Sequence, residues 1–78
     1  MKSEQRVWLK KFRNNKGLTQ LEVAKKAGIK RPNYTMIETG QRKPSVATAK
    51  SIASALGFDW TIFFEEEGSD SLQKRVAI

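Results

Sequence analysis

Residues 20–40 read QLEVAKKAGIKRPNYTMIETG, two short helical periods with a glycine between them. Helices this short are marginal in water by themselves, so each must bury an apolar face against other elements. Val23, Ala24 and Ala27 recur at helical spacing in the first period, and Tyr34 and Ile37 in the second. The first three are small enough to let helices approach closely. Thr19, with Glu22 three residues on, carries the signature of a capping box, which predicts a helix over 20–27. Gly28 suits the left-handed position that closes such a helix, where a Cβ would clash. Pro32 belongs in the first turn of the second helix, where its missing N–H costs nothing, and that helix should end near Glu38.

The flanking segments supply the rest of the core. From Ser3 to Lys16 the pattern is amphipathic, with Trp8, Leu9 and Phe12 inward and Arg6, Lys10, Lys11 and Arg13 interleaved. Ser3 reads as its N-cap, Glu4 as its first-turn acid, and Asn14 to Gly17 as its stop. After the basic loop Gln41-Arg42-Lys43-Pro44, Ser45 caps a helix whose stripe is Val46, Ala49, Ile52, Ala53 and Leu56. Gly57 stops it, and Asp59 caps a last short helix carrying Trp60, Phe63 and Phe64. No proline falls inside a helix and no stretch alternates with period 2, so the fold class is all-α with five short helices. Residues 1–64 form one small domain, and a chain of this size buries only ~60–65 % of its unfolded surface. Residues 65–78 are acidic, then rich in Gly and Ser, then mixed, and read as a tail that frays or contacts a partner.

Composition narrows the function. The chain has neither cysteine nor histidine. It therefore lacks thiolate staples, the commonest metal ligand and the commonest general base, which argues against an enzyme, a metal or a cofactor. No apolar run approaches a membrane span and no signal-peptide core opens the chain, so a cytoplasmic location is expected. Charge is unevenly spread: residues 1–50 hold thirteen Lys/Arg against three Glu, a net +10, whereas residues 51–78 hold two Lys/Arg against five Asp/Glu, a net −3. A basic front and an acidic back suit a module that meets a polyanion with one side. RVWLKKFRNNK taken alone also fits a basic membrane-surface helix, but the periodicity continues into helices that need a shared core.

Two short helices joined through Gly28 describe a helix-turn-helix, whose second helix enters the DNA major groove with its N-terminal end toward the bases. Lys30 and Arg31 then stand at a helix end that already carries positive dipole charge. In the free protein each is unfavourable there by ~0.3–1 kcal/mol at low salt, and the pair makes sense only when an anion arrives.

GLTQLEVAKKAGI, then IETG, then KPSVATAKSIASALGFDW resembles the Cro/C1-type (XRE-like) helix-turn-helix family of small repressors, over roughly residues 5 to 64. The resemblance implies a compact lambda-repressor-like domain that binds double-stranded DNA. It gives Gln20 a phosphate contact and a buttressing role, with its cap Thr19 on the same surface. Arg31, Pro32 and Met36 match outward positions of the recognition helix, flanked by Asn33 and Thr35. Arginine bidentate to guanine is the commonest specific base contact, and an outward Met36 would touch a thymine methyl. Thr35 is read as touching a phosphate or a thymine methyl. Lys30, Thr39, Arg42 and Lys43 are expected to grip the backbone, and Arg13 with Glu38 to form an ion pair from helix 1 to the end of helix 3. Pro32, Thr39 and Leu21 depart from the family pattern.

One such unit makes few base contacts, so the family usually binds palindromic sites as a homodimer. Phe58, Trp60, Phe63 and Phe64 are more aromatic mass than one terminal helix needs, and suggest a dimer interface as well as a core seal. The main expectation is a transcriptional regulator, most simply a repressor. Its rivals are an antitoxin that binds a toxin through residues 65–78, and a protein–protein adaptor that keeps the fold without the DNA.

Overall fold

A computed structural model describes residues 5–65. Among them the chain forms five α-helices: α1 Val7–Asn15, α2 Gln20–Ala27, α3 Arg31–Glu38, α4 Val46–Leu56 and α5 Ile62–Glu65. The expected all-α class and the order of elements are both present. No helix of the described residues is long and apolar enough to cross a membrane.

The local signals act as the sequence implies. Thr19 Oγ1 accepts from Glu22 N at 3.1 Å while Glu22 Oε1 accepts from Thr19 N at 2.8 Å, a complete capping box. Gly28 closes α2 at φ 74°, in the left-handed region. Ser45 Oγ accepts from Thr48 N at 3.1 Å and starts α4. Asp59 Oδ1 accepts from both Thr61 N and Thr61 Oγ1, turning the chain into α5.

α2 packs against α3 and α4, and α1 reaches α3. The core is Leu9, Val23, Ala24, Ala27, Tyr34, Ile37, Ala49, Ile52, Leu56 and Phe63. Small Ala24 and Ala49 let the helices close in, and Leu56 and Phe63 fill the base. An aromatic cluster seals that base: Phe12 stacks on Phe58 at 4.8 Å, and Trp8 meets Phe58 and Phe63 edge-on at 5.5 and 5.1 Å. Such pairs contribute about 0.5–1.5 kcal/mol each beyond their buried area.

Three expectations are corrected. The first helix begins at Val7, not Ser3; Ser3 and Glu4 lie outside the described residues, and Arg6 holds the cap position without a side-chain cap bond. The cause is tertiary. Arg6 N donates to Glu38 O at 2.9 Å, which pins the backbone before it can turn helical. Val46 does not join the stripe of α4: it is 47 % exposed, and burial starts one turn later at Ala49. Phe63 is fully buried and offers nothing to a second copy, so the aromatic surface left for self-association is Trp60 and Phe64 with part of Phe58. Beyond Glu65, the expected tail lies outside the described residues.

Candidate nucleic-acid interface

α3 starts unlike its neighbours. Its cap position is Lys30, with no side-chain cap bond, its first turn holds Arg31 and Pro32, and no acid stands there. Lys30, Arg31 and Pro32 are all exposed. The first N–H groups of a helix find no partner within it and attract anions, and the side charges at this end, Lys30 and Arg31, are positive.

Two clefts flank α3. One, of about 210 Å³, is lined by Asn33, Ile37, Arg42, Lys43, Pro44, Ser45 and Thr48. It brings the basic loop beside the recognition helix and the capped start of α4. Asn33 Oδ1 is buried with no hydrogen-bond partner among the described residues. The other cleft, of about 150 Å³, is lined by Gln5, Arg6, Val7, Lys10, Arg13, Gln20, Glu38 and Thr39. Met36 is half-buried on α3 while Tyr34 and Ile37 take the inward directions, as their spacing implies.

Between α1, α2 and α3 lies a polar hub that fixes these surfaces. The expected Arg13–Glu38 pair forms it, two-pronged, with Nε to Oε2 at 2.8 Å and Nη2 to Oε1 at 3.2 Å. Tyr34 Oη donates to Oε2 at 2.8 Å and Gln20 Nε2 to Oε1 at 2.7 Å. Burial alone would raise the Glu38 carboxyl, but hydrogen bonds from Arg13, Gln20 and Tyr34 outweigh it and hold its pKa below the ordinary value. Burial first, and the Glu38 carboxylate second, push the Tyr34 phenol well above its ordinary value. The hydrogen bond to Glu38 raises the Arg13 guanidinium further, so the pair stays charged.

Sequence reasoning missed one member of this framework. Arg6 read as one more surface cation, yet it is buried and donates to Ile37 O at 2.6 Å and Arg42 O at 3.1 Å. It thereby holds the end of α3 and the basic loop together, with its guanidinium 5.7 Å from the Phe63 ring. No signal in the sequence marks it, because Arg6 falls within the basic, amphipathic stretch and reads there as one more outward cation. Thr39 was expected to grip DNA backbone. Its hydroxyl donates to the carbonyls of Thr35 and Met36 at 3.0 and 3.3 Å, so Thr39 finishes α3 at the edge of the second cleft.

A two-helix unit turned at a left-handed glycine, with a cationic start to its second helix, defines a helix-turn-helix DNA-binding domain. The chain belongs to the helix-turn-helix family, whose model matches residues 9–63, in its Cro/C1-type branch. It is 66 % identical over 61 residues to YqaF, an uncharacterised HTH-type transcriptional regulator of Bacillus subtilis, covering 78 % of this chain and 80 % of that one. It is 38 % identical over 64 residues to YqaE of the same organism, another such regulator, covering 82 % of this chain and 55 % of that one. To the immunity repressor protein of Bacillus phage phi105 it is 34 % identical over 59 residues, covering 76 % of this chain and 41 % of the repressor. The chain is thus a member of a family of DNA-binding transcriptional regulators.

Proposed function

We propose that this chain is a sequence-specific double-stranded DNA-binding repressor that occupies a palindromic operator as a homodimer. Residues 1–64 are its DNA-binding unit and 65–78 its tail. The observation that carries the reading is the start of α3, exposed, uncapped and flanked by Lys30 and Arg31, whereas α2 and α4 both have side-chain caps. Arg31 reads a base edge, and Met36 makes apolar contact in the groove. Lys30, Arg42 and Lys43 bind phosphates from either side of α3, with Thr19 and Gln20 at the head of α2 and Asn33 lining the basic cleft. The phi105 relative, a repressor by name, supports repression. Half-buried Trp60 and Phe64, in edge contact at 5.9 Å, support a second copy docking near α5. The antitoxin reading needs a protein partner on residues 65–78, and no observation on the described residues favours it.

Two substitutions test the proposal. Arg31→Ala should relax base preference at one position per half-site, costing about 1–3 kcal/mol on the preferred duplex. Lys43→Ala should weaken every duplex alike and reduce the slope of log affinity against log salt by about 1. Binding isotherms over a salt series, on a panel of duplexes, separate the two. Equal effects of both substitutions on all sequences would mean that α3 reads no bases.

A further inference from the structure

Thr35 was expected to meet the duplex, but its hydroxyl lies 2.9 Å from Gln20 Oε1, across the gap between α3 and α2. The direction of that bond follows from the groups behind it. Glu38 is ionised beside Arg13, and an ionised carboxylate only accepts. The Gln20 atom 2.7 Å from Glu38 Oε1 is therefore its nitrogen, and the amide oxygen must face Thr35. That oxygen also only accepts, so Thr35 must be the donor. Charge at one end of the hub thus sets the sense of every bond out to the surface of α3.

We infer that Thr35 is a positioning residue for Gln20, an inference that rests on the DNA-binding reading above. Thr35 and Glu38 clamp the two ends of one amide, so that Gln20 meets DNA in a single orientation with one N–H left to donate. Thr35 itself, its proton committed to Gln20, presents only lone pairs. A phosphate presents only acceptors, so Thr35 forms no hydrogen bond to the backbone. Gln20 is the first residue of α2 and Thr35 lies mid-way along α3, so the clamp also sets how the two helices are rotated against each other.

The test uses the whole chain with Thr35→Val, which keeps the shape and removes the donor, Thr35→Ser, which keeps the donor, and Gln20→Ala. In the free protein, nitrogen relaxation of the Gln20 side-chain amide should show it ordered in the wild type and in Thr35→Ser, and mobile in Thr35→Val. On a mixed-sequence duplex, Thr35→Val should lose about tenfold in affinity, the size expected for one charge-assisted contact. Thr35→Ser should restore it, and Thr35→Val should cost nothing further in the Gln20→Ala background. An amide equally ordered in Thr35→Val, or losses that multiply across the two sites, would overturn the inference. A wild-type protein that bound no duplex would instead sink the DNA-binding reading, and amide relaxation alone would then decide the clamp.

Discussion

The residue on which most of the described surface depends is Glu38, 5 % exposed and holding four side-chain hydrogen bonds from Arg13, Gln20 and Tyr34. A buried charge satisfied this fully becomes costly once a partner is removed. Arg13→Met should therefore lower unfolding stability by about 3–5 kcal/mol in urea titration. A loss under about 1 kcal/mol, typical of an exposed pair, would mean that the hub is solvated. The pair itself was legible in the sequence, through the family resemblance. Its extension to Tyr34, Gln20 and Thr35 was not, because periodicity tells which side a residue faces and says nothing about which polar atoms meet. Arg6 was illegible for a related reason: a lone cation at the head of a helix reads as surface until the carbonyls it reaches are placed.

At the scale of the element, punctuation residues carried the information. Thr19, Glu22, Gly28, Ser45 and Gly57 each sit at a helix end in the role their chemistry implies, so α2 lies where it is expected, over about 20–27, and α4 runs between its expected cap and stop. Thr19→Ala should cost about 1 kcal/mol through the lost cap. Gly28→Ala should cost about 1–2 kcal/mol through backbone strain alone, since space is open around it and only its φ is adverse. Thermal melts of both variants check these values. The start of α1 escaped the same reasoning because a long-range backbone bond from Arg6 to Glu38, not a local cap, decides it.

The hub couples three helices, so it also sets how their stability depends on pH. The folded pKa of Glu38 is depressed, so the stability it confers is fully present above pH 4.5 and is lost as pH falls through the folded value. The folded pKa of Tyr34 is raised, so its contribution is fully present below pH 10.0 and is lost as pH rises toward the folded value. Urea midpoints should form a plateau that falls away on both sides. The chain has one tyrosine, so tyrosinate absorbance reports Tyr34 directly and should appear only as the protein unfolds.

Across the whole chain, the first fifty residues, which contain the helix-turn-helix, carry a net charge of +10. The half-buried aromatics Trp60 and Phe64 lie beyond them in the sequence, with Lys50 Nζ 5.1 Å from the Trp60 ring. The proposed reading uses the basic segment for a duplex and the aromatic pair for a second copy. Selection of bound duplexes from a randomised DNA pool at physiological salt tests the central claim most directly. The account predicts recovery of a two-fold symmetric motif with half-sites about one helical turn, ~34 Å, apart. Recovery of duplexes sharing no motif would contradict it, leaving a basic protein that binds DNA without reading it.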